Sequence, residues 1–156
     1  MDLRELVTAE RVSLARDVAS KKRALERLSG LLATGPDGLN AVEIFDGLFG
    51  RERLGSTGLG HGVALPHTRS KRIHEAVGAI LRLQVGVDFD SLDRQPVDLL
   101  FGLLVPDHAP ERHLQTLAQL AEMFRDPKLC AALRAAETPD ALFELLVDWT
   151  PGGTDR

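Results

Sequence analysis

Three histidines, His61, His67 and His74, fall within fourteen positions beside a glycine cluster. A metal is the first chemistry to test. The spacings of six and seven residues match no zinc motif, no His-Glu-x-x-His lies on a helix, and Glu75 is the sole nearby carboxylate, so no metal is expected. Gly58-Leu59-Gly60-His61-Gly62 lacks the Lys-Ser/Thr of a P-loop and the spacing of a dinucleotide fingerprint, so no nucleotide cofactor is expected either. Ser56 is outside any Gly-x-Ser-x-Gly elbow. What stands out is Pro66-His67 directly after the short apolar run Val63-Ala64-Leu65. A strand fixes the position of such a histidine, and proline stiffens its approach. On spacing alone it reads either as a loop residue making a hydrogen bond or as a nucleophile. A neutral imidazole can attack phosphorus without a separate base. The transferring oxygens would then need cations or donors, for which Arg51, Arg53, Ser56, Thr57 and His113 are the candidates. His113 falls in the first turn of an expected helix, where unpaired N–H groups favour an anion.

The elements that must hold these groups follow from periodicity. Ser20 caps a helix with the stripe Ala24, Leu25, Leu28, Leu31 and Leu32, stopped by Gly35-Pro36-Asp37-Gly38. Asn40 caps the next, with Glu43 placed to reach back to it; Ala41, Ile44, Phe45, Leu48 and Phe49 form its expected buried stripe, and it ends near Arg53 or Leu54. Four of the eight residues from Gly55 to Gly62 are glycine, which marks a turn-rich connection. Positions 77–87 alternate and read as a half-exposed strand with Leu81, Leu83, Val85 and Val87 on one face. Positions 97–105 are nearly continuous in Val, Leu and Phe, as in a strand covered on both faces. A helix from Pro110 to Phe124 is expected to bury Leu114, Leu117, Ala121 and Phe124, and Asp126-Pro127 and Thr138-Pro139 open two more. The expected fold is a single compact α/β domain over residues 1–150, a mixed β-sheet flanked by helices on both faces, with a disordered tail at 151–156.

Composition narrows the function classes. The 156 residues are 44% hydrophobic and 27% charged, an ordinary globular balance that can hold a core without a disulfide. A single cysteine, Cys130, sits at an apolar helical position as an inert thiol and suits a reducing cytoplasm. Charges at positions 2, 4, 5, 10 and 11 break any signal peptide, and no apolar run approaches a membrane span. A net charge of −4, with Lys21-Lys22-Arg23 as the one short basic cluster, argues against nucleic acid as a partner. That cluster reads as a solvated first turn, and Arg53, His61, His74 and His108 read as surface residues.

The stretch from Arg51 to His67, reading RERLGSTGLGHGVALPH, closely resembles the active-site segment of the phosphoenolpyruvate-dependent phosphotransferase system IIA domains of the fructose/mannitol type. The likeness is strongest to the freestanding nitrogen-regulatory members of that family. It extends over Gln95-Pro96-Val97-Asp98-Leu99-Leu100, Val105-Pro106, His113-Leu114 and Leu129-Cys130 with Leu133-Arg134-Ala135-Ala136. The resemblance implies that His67 is the phosphorylated residue, that Arg51 holds the phosphoryl oxygens and that His113 donates to them. Ser56 and Thr57, in the matching Gly55–Gly58 segment, would add supporting hydrogen bonds. Thr68 departs from the pattern, since the family usually has glycine or another very small residue there. By resemblance the phosphoryl donor is a small HPr-like carrier, without metal or nucleotide. Regulated targets such as a sensor kinase or a potassium transporter would respond to phosphorylation state. Two other readings remain: a sugar-specific IIA component passing phosphate to a IIB domain, and a binding module that is not phosphorylated.

Overall fold

The computed structural model describes residues 2–35 and 39–151, so positions 36–38 of the expected helix stop and the expected tail from 152 onward lie outside the described residues. In chain order the elements are α1 (Leu3–Leu6), a 3-10 turn (Ala9–Arg11), β1 (Val12–Ala15), α2 (Lys21–Leu32), α3 (Ala41–Arg53), β2 (Gly58–Gly60), β3 (Val63–Ala64), β4 (His67–Ser70), β5 (Val77–Val87), β6 (Val97–Pro106), α4 (Pro110–Met123), α5 (Pro127–Ala135) and α6 (Pro139–Val147). The caps expected from sequence form. Ser20 accepts from the Arg23 amide at 3.1 Å, Asn40 from the Val42 and Glu43 amides, Asp126 from the Lys128 amide and Thr138 from the Ala141 amide. Each satisfies helix amides that otherwise have no partner. Glu43 does not reach back to Asn40 as expected; its carboxylate meets Arg72 at 3.4 Å instead.

The sheet is mixed. Its order is β1-β5-β6-β3-β2, with β4 also on β6; β5 and β6 pair antiparallel at the centre, while β1 on β5 and both β3 and β4 on β6 are parallel. Helices cover both faces. Leu99, Phe101 and Leu103 of β6 pack with Leu120 and Met123 of α4, Leu133 of α5 and Leu142 and Leu146 of α6. Leu100 and Leu104, one residue out of phase, pack with Leu25 and Leu28 of α2 and Ile44 and Leu48 of α3. The alternation places about 1.5–3 kcal/mol per buried Leu or Phe on each side of one strand, which is why β6 reads as unbroken hydrophobicity. At Gly102 a Cβ would stand 2.7 Å from Leu28, so α2 rests directly on the β6 backbone there.

Three expectations about burial are corrected. On α4 the buried line runs through His113, Leu120 and Met123, so Leu114 is 67% exposed: the helix is turned by one residue to put the imidazole inside. On α3 the buried line is Ile44, Leu48 and Glu52, which leaves Phe49 at the margin, stacked on Phe45 with centroids 5.5 Å apart. Val85 is exposed because the β5–β6 register shifts between Arg82 and Val87, taking that stretch off the packed face. The strand β1 carries no periodic signal in its four residues, and pairing with β5 is what makes it a strand.

Candidate functional site

The residues around His67 run as one path along β6 interrupted by a proline, paired on the far side with β2 at Val63–Ala64 and at the sheet edge from His67 onward. Val63 pairs with Leu99, Ala64 with Leu100 and His67 with Leu103, a constant offset, so β3 and β4 keep a single register across Leu65-Pro66. Pro66 lacks an N–H but still accepts from the Leu103 amide at 2.9 Å, and Leu65 donates to the Thr57 carbonyl at 3.0 Å. His67 shares the sheet face of its partner Leu103, the face carrying α4. Its Nδ1 lies 2.8 Å from the Leu65 carbonyl oxygen. A carbonyl only accepts, so Nδ1 carries the proton and Nε2 is left with a free lone pair.

Arg51 stands in the last turn of α3 and donates through Nη1 to the Gly55 carbonyl at 2.9 Å, leaving the other guanidinium donors available. The loop after it is held by a centre that sequence reasoning missed. Glu52, with a side chain 2% exposed, accepts from the Thr57 amide at 3.1 Å and from the Thr57 hydroxyl, and pairs with Lys21 Nζ at 3.1 Å. Lys21 also donates to the Phe89 carbonyl at 3.3 Å and lies 4.6 Å above the Phe89 ring. Ser56 donates to that same carbonyl at 2.8 Å and accepts from the Gly58 amide at 3.0 Å. Ser56 and Thr57 therefore spend their hydroxyls on shaping the loop. Lys21, expected to be solvated, is mostly buried because it meets Glu52. A cation at the start of α2 and an anion at the end of α3 each oppose their helix dipole, and pairing offsets both. The available signal was a carboxylate at position 52 on the apolar line of Ile44 and Leu48.

His113 occupies the first turn of α4, 9% exposed, with Nε2 2.5 Å from the His108 carbonyl oxygen. By the same reasoning Nε2 carries a proton, and Nδ1 is the nitrogen left for another group. Ala109, the residue that begins this helix, has φ +54° and no side-chain cap. The three side chains thus come from both layers: His67 from an edge strand, His113 from α4 on one face, and Arg51 from α3 on the other. They do not hydrogen-bond one another. Each is held by a main-chain carbonyl, and among the described residues no carboxylate forms an ion pair with any of them. That leaves their capacity to meet a negative group unspent.

The remaining candidates lie outside this arrangement. His61 is exposed at φ +56°, its amide donating to Asp93 at 2.9 Å, a bond that lowers the Asp93 pKa. His74 and His108 are exposed and line, with Arg112 and His113, a cleft of about 550 Å³ that His67 does not line. Arg53 is exposed, and Cys130 is buried with its thiol donating to the Phe124 carbonyl and its pKa raised by burial. Among the described residues no group of three or more His, Cys, Asp or Glu is placed to hold a metal, and no helix is long and apolar enough to cross a membrane.

The mixed six-stranded sheet, covered by helices on both faces and carrying His67 on its edge strand, defines the class as a single α/β domain. The chain belongs to the family of phosphoenolpyruvate-dependent sugar phosphotransferase system EIIA 2 domains, whose model matches residues 5–149. It is 43% identical over 146 residues to a nitrogen regulatory protein of Pseudomonas aeruginosa, covering 94% of this chain and 95% of that one. Among solved structures it superposes on nitrogen regulatory protein IIA-Ntr of Neisseria meningitidis with a TM-score of 0.84 at 38% identity, covering 91% of this chain and 97% of that one. The mannitol IIA of Escherichia coli shares the fold at a TM-score of 0.75 and 24% identity, over 90% of this chain and 98% of that one.

Proposed function

We propose that this chain is a phosphocarrier that takes a phosphoryl group onto Nε2 of His67 from a phosphohistidine of a small HPr-like carrier, and that its phosphorylation state controls its binding to regulatory partners. The observation carrying this reading is the 2.8 Å contact between His67 Nδ1 and the Leu65 carbonyl, which fixes the tautomer that bares Nε2. In the transfer, the Nε2 lone pair forms a bond to phosphorus as the donor's P–N bond breaks. The donor ring leaves as a neutral imidazole, its other nitrogen protonated, while His67 keeps the Nδ1 proton on the carbonyl. Donor and acceptor are both histidines, so the step is close to balanced and catalysis consists of positioning and charge stabilisation. Arg51 meets the phosphoryl oxygens with its free guanidinium donors. His113 donates from Nδ1, which, while Nε2 is engaged with His108, requires the doubly protonated ring. Ser56 and Thr57 support the site by holding Gly55 to Gly58 in place.

A phosphoryl group adds about two negative charges at a half-buried position on the sheet edge, enough to change which surfaces bind there. The 43% identity to a nitrogen regulatory protein favours a regulatory role, acting in the cytoplasm through a domain over residues 1–150, above a sugar-transport one. Regulated targets would include a sensor kinase or a potassium transporter. The test is intact mass after incubation with phosphoenolpyruvate, enzyme I and an HPr-like carrier, followed by offering the product a purified IIB domain. One acid-labile phosphate, absent in His67→Ala and not passed on to IIB, is the expected result. Stoichiometric uptake by His67→Ala refutes the assignment, and rapid transfer to IIB refutes the regulatory half.

A further inference from the structure

The residue after His67 is seated against α3 at a position where α3 has no side chain. Thr68 pairs with Leu104, which faces the α2–α3 layer, so Thr68 points toward α3 as His67 points away from it. A Cβ built on Gly47 would lie 2.6 Å from Thr68 Oγ1, 3.0 Å from its Cγ2 and 3.2 Å from its Cβ. The last distance matters most, because Cβ is fixed by the strand backbone. No Thr68 rotamer relieves the contact, and a β-branched side chain has few to offer. Any side chain at position 47 therefore moves the helix.

We infer that Gly47 and Thr68 form a positioning pair that sets the separation of Arg51 from His67. Gly47 and Arg51 are four residues apart and share one face of α3, while Thr68 is covalently next to His67. The helix that carries Arg51 and the strand that carries His67 thus have, among their contacts, this small-to-branched one at closest approach. The departure from the family pattern at position 68 is accommodated by the glycine opposite it. This inference rests on the phosphocarrier reading of the site. Retreat of α3 to ordinary contact distance is roughly 0.5–1 Å, a displacement of the size that can lower a reaction rate by an order of magnitude or more.

The experiment measures phosphoryl uptake from a phosphorylated HPr-like carrier, across carrier concentrations, for wild type, Gly47→Ala, Thr68→Gly and the double variant. Gly47→Ala is expected to lower the maximal rate about tenfold while leaving the half-saturating carrier concentration unchanged, and the double variant is expected to recover the rate of Thr68→Gly. Helix propensity alone expects the reverse for Gly47→Ala, a more stable and equally active protein. Thr68→Val keeps the shape and should keep the rate. If Gly47→Ala does not fold, Thr68→Ile crowds the same gap from the other side and should slow uptake. Uptake by Gly47→Ala, or by Thr68→Ile in its place, within about twofold of wild type overturns the inference, as does a double variant no faster than Gly47→Ala. A wild type that takes no phosphate rejects the phosphocarrier reading itself.

Discussion

Replacing Glu52 by Gln tests whether the loop before the candidate site is held from beneath. The substitution keeps the size of the side chain but removes the charge facing Lys21, whose side chain is only 17% exposed. Breaking a buried ion pair by removing one partner costs about 3–5 kcal/mol. Lys21 here retains the Phe89 carbonyl and, at 3.4 Å, the exposed Asp90 carboxylate, which offset part of that loss. The two Thr57 bonds to Glu52 are weakened at the same time. A net destabilisation of about 2–3 kcal/mol is therefore expected, read as a lower urea midpoint at unchanged slope. Lys21→Met combined with Glu52→Gln should cost less than the two single changes added together, because the second removes the orphaned charge left by the first. Phosphoryl uptake should fall as well, since Gly55, which receives Arg51, lies in the loosened segment. A loss below about 0.5 kcal/mol would mean that the pair behaves as a surface salt bridge, and the account of the loop would fail.

Two further perturbations test the helix-on-sheet packing and a tryptophan–carboxylate bond. Gly102→Ala drives a methyl group into Leu28 and should destabilise the protein by about 1–3 kcal/mol, measured by denaturant unfolding; no loss would mean that α2 does not rest on the β6 backbone. The sole tryptophan, Trp149, donates to Asp126 at 2.8 Å, and this bond lowers the Asp126 pKa. A folded pKa below the unfolded value contributes stability above the ordinary aspartate range and loses it as pH falls through the lowered value. Trp149 fluorescence should therefore titrate with a midpoint below about 3.9, and Asp126→Asn should abolish the transition. A midpoint at or above that value would contradict the bond.

Much of the architecture was legible because it rests on local chemistry. The four capping residues and the unbroken apolar run of β6 each specify their element without reference to the rest of the chain. The strand β1 was not legible, because its pairing with β5 is decided by residues more than sixty positions away. The rotation of α4 escaped for a related reason. Leu114 and His113 compete for the inward position, and the tertiary fit favours the less hydrophobic residue. At the site, the residue types at 51, 67 and 113 could be read from the sequence. The carbonyl each of them touches could not, since Leu65, Gly55 and His108 act through their backbones. The pair Lys21–Glu52 was hidden because its members lie on different helices and each looks unfavourable where it stands.

Ring nitrogen NMR of the phosphorylated protein tests most directly whether Nε2 of His67 is the atom that takes the phosphate. With histidines labelled by 15N, the account predicts a phosphorus coupling to Nε2 of His67 and a proton retained on Nδ1. Phosphate on Nδ1 of His67, or on His113, would contradict it, because the Leu65 carbonyl would then not be selecting the nucleophile.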